Sequence, residues 1–316
     1  MPTVAADQQS ASRGAIPAAR RRSRLIGERL SFQIGLILPS VLVLLLFQVV
    51  PIFIGTDASF RRWSLYDPDK TWVGLEHYRY VLSDTNFLFT VLPNTFLLIV
   101  ASVGLSLALG MAVALLLHRG IAAQRLVQTV VLLPLMIGPV IASTMMRWTF
   151  NDQFGVVNAF LGWLGLGQPA WLADRWYAFG VIVFTDVWIW TPWFALLLLA
   201  GLKSLPKEPF EAAALDAAGR WRIFTHITVP MLRPVIGVCV VIRAIDCFRT
   251  FDQVWLLTGG GPARSTEVFS IYVFMEAFQN LNFARGSAAA VIGTLIIMVA
   301  GLALYALINR FMDVSR

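Results

Sequence analysis

The sequence predicts an all-α integral membrane protein with six membrane-spanning helices. Of its 316 residues, 58% are hydrophobic and only 14% are charged, and the mean hydropathy is +0.71. Soluble domains carry roughly 25% charged residues, so this composition is typical of a chain that lies in a bilayer. A spanning helix needs ~20 predominantly apolar residues. Six stretches meet that need, and we expect the spans at about residues 32–54, 91–117, 128–148, 178–202, 234–257 and 288–308.

Charged residues distinguish two of these spans from the others. The first, second and sixth spans fall in stretches of more than 20 residues without Asp, Glu, Lys, Arg or His, and so does the third up to Arg147 near its end. The fourth contains the single charge Asp186, and the fifth contains four charges within RAIDCFRTFD, from Arg243 to Asp252. A charge in the bilayer core costs a few kcal/mol or more, so charges at such positions are functional by default.

The distribution of basic residues predicts the orientation. Cytoplasmic loops of membrane proteins retain Lys and Arg. With the N-terminus inside, the cytoplasmic side holds fifteen Lys and Arg and the outer side holds eight. We therefore expect both termini in the cytoplasm, with residues 1–29 as a disordered basic arm and residues 30–316 as the transmembrane domain. The same asymmetry accounts for the net charge of +7, so nucleic acid is not an expected partner.

The connection between the fourth and fifth spans, about residues 203–232, is much longer than adjacent helices require. Within it, Pro209 suits a first helical turn, Glu211 lies near the positive end of the helix, and Gly219 suits a C-terminal cap. The centre of this short helix is mostly alanine, which lets its backbone approach another protein closely. A docking element and an interfacial amphipathic helix both fit the pattern.

The segment EAAALDAAGRWRIFTHITVP closely resembles the EAA loop of ABC-importer permeases. Ala217 stands where the family prefers Gly, and Val229 stands where it prefers Leu; because Gly219 lies two residues after Ala217, the turn can be displaced. Five positions match at the family spacing: Glu211, Ala212, Ala213, Ile227 and Pro230. In that family the helix docks in a groove of the cytoplasmic ATPase. The resemblance thus implies an ATPase-coupling role for Glu211, Ala212, Ala213, Ala214, Leu215, Asp216, Ala217, Ala218 and Gly219.

Further motifs extend the resemblance over nearly the whole chain from about residue 30. VGLEHYRYVLSD, NTFLLIVAS, NDQFGVVNAFLGWLG and FDQVWLLTGGGP look like carbohydrate-uptake permeases of the maltose, lactose and glycerol-phosphate type. The last motif is similar to the maltose system's larger permease, although this chain lacks that subunit's extra N-terminal helices and large inserted domain. The resemblance implies a type I ABC importer permease fold with a cytoplasmic coupling helix. It also implies a subunit of an ATP-driven importer that moves a sugar or sugar-like solute across the bacterial cytoplasmic membrane by alternating access.

The expected partners follow from the same resemblance. They are a second permease that completes a heterodimer, two ATPase subunits, an extracytoplasmic solute-binding protein and the surrounding membrane lipid. The chain itself is expected not to be an enzyme and to hold no cofactor or metal, with ATP and Mg bound by the partner ATPase subunits. It lacks the G-x-x-x-x-G-K-[ST] pattern of a phosphate loop, and its TGGGP run instead fits the turn that ends the fifth span.

Helical geometry places the charges of the fifth span. At 1.5 Å per residue, Arg243 and Asp246 lie near the middle of a ~30 Å hydrocarbon core. Arg249 and Asp252 point elsewhere, with Asp252 near the outer surface, where a structural pair or an outer gate both fit. At 100° per residue, one narrow face of the helix carries Arg243, Asp246, Cys247 and Thr250.

The fourth span offers a complementary face. Asp186, Trp190 and Trp193 follow the i, i+4, i+7 spacing, which combines one carboxylate with two indoles. Sugar rings pack on aromatic faces, and their hydroxyls satisfy charged acceptors and donors. The resemblance places positions equivalent to the following residues at the sugar site: Asp186, Ile189, Trp190, Trp193, Arg243, Cys247 and Thr250. Together with Asp246 they form the predicted substrate path.

Two alternatives stay open at this stage. The charges can simply neutralise one another within the bundle while the tryptophans fill membrane helices. A different class of function is an ion-coupled secondary solute transporter in which Asp186 and Asp246 bind protons or ions, although no internal repeat of the kind common in such folds is visible. The substrate's charge and identity, and the identity of the partner chains, do not follow from the sequence.

Overall fold

The computed structural model describes residues 35–64, 69–120 and 124–313. The predicted basic arm, residues 1–29, lies outside the described residues. Two units are distinguished, Met1–Asp57 and Ala58–Arg316. Apart from one two-stranded antiparallel hairpin, the described secondary structure is helical.

Fourteen elements are named here in chain order. They are α1 (Gly35–Ser59), β1 (Arg61–Arg62), β2 (Thr71–Trp72), α2 (Glu76–Ser83), α3 (Phe87–His118), α4 (Gln124–Met136), α5 (Pro139–Thr149), α6 (Val156–Trp163), α7 (Arg175–Ser204), α8 (Glu208–Leu215), α9 (Arg220–Phe248), α10 (Asp252–Leu257), α11 (Phe269–Phe274, continued by a π-helical turn, Met275–Gln279) and α12 (Phe283–Asp313). In the hairpin, Arg61 pairs with Trp72 and Arg62 with Thr71.

Five helices in the described residues, α1, α3, α7, α9 and α12, are long and apolar enough to cross a membrane. The third predicted span, 128–148, is not one straight helix, because α4 and α5 meet at an angle of 93°. Its cause is local. Pro139 opens α5 and requires an extended residue before it, and Gly138 is extended at ψ 146°. The pair is therefore a broken span or a re-entrant segment, and the spans number six if it counts as one.

The fifth predicted span, 234–257, has different bounds in the structure. Its helix, α9, begins at Arg220, inside the predicted coupling loop, and ends at Phe248. The chain then turns, the Ser270 hydroxyl donates a hydrogen bond to the Thr250 carbonyl, and α10 begins at Asp252. The assumption of a continuous helix to residue 257 was wrong, so the depth assigned to Asp252 by counting along that helix does not apply.

The core of the second unit forms where α3 packs along α7. The approach is close at Gly110, where an added Cβ would lie 2.5 Å from the Phe194 Cβ. Small residues permit such contacts between membrane helices. Helix α9 then packs on α3, α7 and α12, which brings the charged residues of the fifth span against the fourth.

Candidate functional site

A buried ion pair joins α7 to α9. Arg243 Nη2 lies 2.5 Å from Asp186 Oδ1 and 2.6 Å from Oδ2. The Arg243 and Asp186 side chains are 2% and 1% exposed. Arg243 also donates through Nη1 to Asp246 Oδ2 at 2.8 Å. The guanidinium therefore bridges two carboxylates, one buried and one, Asp246, that is 40% exposed.

An aromatic ring covers the same guanidinium. Arg243 Cζ lies 4.4 Å from the centroid of the Trp190 ring, within the range of a cation–π interaction. Asp246 in turn faces a second cation, since Arg249 Nη2 lies 3.6 Å from Asp246 Oδ1. Arg249 is 72% exposed, so this outer pair is screened by solvent whereas the inner pair is not.

An open cavity of about 330 Å³ lies beside this network. It forms where α9 ends, α10 begins and the first residue of α5 approaches. Asp246, Arg249 and Asp252 give its wall a charged character, and the Gln253 side chain contributes a buried amide whose Oε1 has no hydrogen-bond partner among the described residues. Buried polar atoms are usually satisfied by protein, water or ligand. The lining residues are Pro139, Trp190, Asp246, Arg249, Thr250, Phe251, Asp252 and Gln253.

Three of the eight residues predicted for the substrate path line this cavity: Trp190, Asp246 and Thr250. Asp186, Ile189, Arg243 and Cys247 are instead buried. Trp193 packs partly buried against the hydrophobic core and stacks edge-on with Phe194. The structure therefore brings three of the eight predicted residues to this cavity and buries four others. A buried charge left unpaired costs several kcal/mol. Asp186 and Arg243 avoid this cost because they pair with each other in the interior, behind the cavity wall.

The sequence analysis missed five lining residues: Pro139, Arg249, Phe251, Asp252 and Gln253. The helical geometry assigned Arg249 and Asp252 to another face, because it assumed a helix that continues beyond Phe248. The polar string RTFDQ, at the point where an apolar span should continue, was the available signal of a helix end.

The predicted coupling helix is α8, Glu208–Leu215. It is anchored by Ala213, which is buried, while Glu211 is exposed and Leu215 is 89% exposed. The Ala218 N–H bonds the Ala213 carbonyl at 3.0 Å and the Ala217 N–H bonds the Ala214 carbonyl at 3.1 Å. This is a Schellman motif, whose terminating residue adopts the left-handed conformation.

The residue that ends α8 corrects one expectation. Ala217, at φ 52°, occupies the left-handed position, whereas Gly219 has φ −64° and ψ 151° and precedes α9 as its N-cap. The turn is therefore not displaced toward Gly219. Because an L-residue is strained at positive φ, the geometry gives a physical reason for the glycine that the EAA pattern prefers at this position.

Comparison with known proteins now decides the family. The family model described as "Binding-protein-dependent transport system inner membrane component" matches residues 106–314, more than half of the chain. The chain belongs to this family. It is thus a multi-pass inner-membrane permease component, and the resemblance to ABC-importer permeases is confirmed.

Relatives and solved structures agree with that assignment. The permease is 34% identical to the trehalose/maltose transport system permease protein MalF of Thermococcus litoralis over 87% of this chain and 92% of that protein. It is 33% identical to the sulfoquinovosyl glycerol transport system permease protein SmoG of Agrobacterium fabrum, over 84% and 86%. A crystal structure of a bacterial ABC transporter involved in alginate import has a chain that superposes with a TM-score of 0.80 at 24% identity, covering 92% of this chain and 99% of that one. The likeness confirms the predicted fold.

Proposed function

We propose that this permease imports a sugar or sugar-like solute by alternating access, and that the cavity beside Asp246 is its part of the translocation path. Family membership places the chain in an ABC importer and decides against the ion-coupled alternative. Relatives named for trehalose, maltose and sulfoquinovosyl glycerol transport support a sugar. The observation that carries the path is the open cavity lined by Trp190, Asp246 and Gln253.

The chemistry of the cavity suits hydroxylated rings. The carboxylates of Asp246 and Asp252, which line the cavity, can accept hydrogen bonds from hydroxyl groups. Trp190 makes a cation–π contact with the Arg243 guanidinium and also lines the cavity, where the C–H face of a sugar can pack against it. Each part of the site therefore has a partner on a pyranose ring.

The charge balance favours an uncharged sugar. Arg243 is buried between two carboxylates, and Arg249 already faces Asp246. Within the described residues Asp252 forms no ion pair, so the cavity wall carries an excess of negative charge. Among the described residues that line this cavity, an anionic sugar would meet no unpaired cation. Competition of uptake by an uncharged disaccharide, and not by its uronic acid counterpart, is the expected result.

A transport assay tests the path. Trp190→Ala should raise the sugar concentration that gives half-maximal uptake, because the ring that packs against the sugar is lost, while the complex still assembles. Trp176→Ala is the matched control, since Trp176 lies on the same helix, is 65% exposed and does not line the cavity. Equal uptake curves for the two variants would contradict the assignment.

Coupling to ATP hydrolysis is the second part of the proposal. Helix α8 would dock on one of two ATPase subunits that bind ATP and Mg, and a second permease and an extracytoplasmic binding protein would complete the importer. Both termini and α8 would lie in the cytoplasm. The exposure of Glu211 and Leu215 supports this role, because docking needs an exposed helix and Leu215 leaves a large apolar side chain uncovered.

Reversal of one exposed charge tests the coupling role. Glu211→Lys should lower substrate-stimulated ATP hydrolysis by the assembled complex without loss of membrane insertion, because Glu211 is exposed on α8. Glu208→Lys is the matched control. It reverses another exposed charge on the same helix, so it measures the loss of ATP hydrolysis that comes from a change of charge alone. An unchanged hydrolysis rate in an assembled Glu211→Lys complex would sink the proposal.

A further inference from the structure

A groove of about 840 Å³ lies between the end of α3 and the start of α9, away from the candidate substrate path. Its walls are apolar along most of their length. Helix α3 contributes Ala108, Met111, Ala112 and Leu115, and α9 contributes Ile223 and Phe224. Such a groove suits a hydrocarbon chain.

One end of the groove is cationic. Arg119, the C-cap of α3, and Arg220, the first residue of α9, both line it and are both exposed. Neither forms an ion pair or a side-chain hydrogen bond within the part of the chain that the structure describes. Gly219, the N-cap before Arg220, supplies no side-chain cap, so the first N–H groups of α9 add to the positive potential. Two unpaired guanidinium groups of this kind attract an anion.

An aromatic residue marks the same end. Trp221 is 75% exposed, lines the groove and packs its ring 5.6 Å from that of Phe224. Exposed tryptophans of membrane proteins concentrate at the level of the lipid headgroups. The cationic end therefore has the character of a membrane–water interface.

The length of the groove matches one leaflet. Along α3 its lining runs from Ala108 to Arg119, eleven residues further along the chain, which is ~16 Å at 1.5 Å per residue. Half of a ~30 Å hydrocarbon core is ~15 Å. A lipid whose headgroup lies at Arg119 would thus place its acyl chain in the groove as far as the bilayer midplane.

We propose that the groove binds an anionic phospholipid of the cytoplasmic leaflet, with its phosphate between Arg119 and Arg220 and an acyl chain against Met111 and Ala112. The assignment to that leaflet rests on the orientation proposed above. The groove combines an apolar wall, two arginines and an interfacial tryptophan. Basic pockets beside membrane helices bind acidic lipid headgroups. A helix of the second permease is the competing occupant, but an apolar helix would leave both guanidinium groups unpaired.

Native mass spectrometry of the purified full chain tests this directly, using phosphatidylglycerol and phosphatidylcholine as separate probes. The wild type should retain phosphatidylglycerol in preference to phosphatidylcholine. The R119Q/R220Q variant should bind phosphatidylglycerol about thirtyfold more weakly, because each basic residue near the headgroups contributes about a factor of five. Arg222→Gln is the matched control, since Arg222 is an exposed arginine on the same helix that does not line the groove.

A second variant separates the lipid from other sources of the same chemistry. Ala112→Trp fills the apolar part of the groove without a change of charge and should also abolish retention, whereas glycerol phosphate alone should not displace the lipid. Equal binding of the two lipids, or unchanged binding by R119Q/R220Q or by Ala112→Trp, would overturn the proposal. So would efficient cross-linking of a cysteine at position 112 to the second permease. Since binding is measured without transport, a failure of the proposed sugar path would leave this result unaffected.

Discussion

Removal of the Arg243 guanidinium should be the most damaging single change in the charged network. In Arg243→Gln the Asp186 carboxylate, 1% exposed, loses both of its short contacts, at 2.5 and 2.6 Å. Breaking a buried pair by removing one partner costs about 3–5 kcal/mol, because an uncompensated charge stays buried. We expect a loss of that size in the free energy of unfolding.

Two comparisons make this prediction specific to burial. The double variant D186N/R243Q should recover most of the loss, since neutralising both partners leaves no buried charge. Arg249→Gln removes a cation that also faces Asp246, but from an exposed position at 3.6 Å, and should change the unfolding free energy by about 0.5 kcal/mol or less. Arg243→Gln thus leaves a buried carboxylate unpaired, D186N/R243Q leaves no buried charge, and Arg249→Gln removes only an exposed partner.

The assay is unfolding of the purified chain in mixed micelles as the denaturing detergent fraction increases, followed by tryptophan fluorescence. The expected order of stability is wild type and Arg249→Gln together, then D186N/R243Q, then Arg243→Gln. If Arg243→Gln were no less stable than Arg249→Gln, or if the double variant were as unstable as Arg243→Gln, the argument from an uncompensated buried charge would be refuted.

Three further predictions follow from local geometry. Ala217→Gly should raise the unfolding free energy of the α8 region by about 1 kcal/mol, measured by hydrogen exchange, because glycine removes the strain at φ 52°; no change would show that the turn is unstrained. Gly110→Leu should prevent folding, because its Cβ would lie 2.5 Å from the Phe194 Cβ. A Cβ added at Gly104 meets nothing within 4 Å, so Gly104→Leu should fold in detergent. Burial lowers the pKa of His77 below 6.5, so its contribution to stability should be present above about pH 6.5 and fall as pH falls toward the lower folded-state pKa. A thermal unfolding series against pH that is identical for wild type and His77→Gln would contradict it.

Much of the fold could be predicted because membrane helices are specified by local composition. Apolar length identified the second and sixth spans, and the fourth despite its one charge, Asp186, since a bilayer admits a helix wherever ~20 predominantly apolar residues occur in succession. The EAA pattern located α8, since Glu211 lies within the helix Glu208–Leu215. Helix ends were harder to predict. In the turn after Phe248, for example, the Thr250 carbonyl accepts a hydrogen bond from Ser270, which is twenty residues away in sequence.

The candidate site divides in the same way. The sequence by itself determined that Asp186, Arg243, Asp246 and Trp190 lie on facing stripes of two spans, because spacing along a helix fixes the face of each side chain. Only the tertiary structure decided which of them reach the cavity. Arg243 lies between Asp186 and Asp246 because a buried guanidinium requires carboxylate partners. Asp246 remains 40% exposed and lines the cavity. Residues 249–253 line the rest of the cavity wall because α9 ends at Phe248. Helical periodicity in the sequence does not predict where that helix ends.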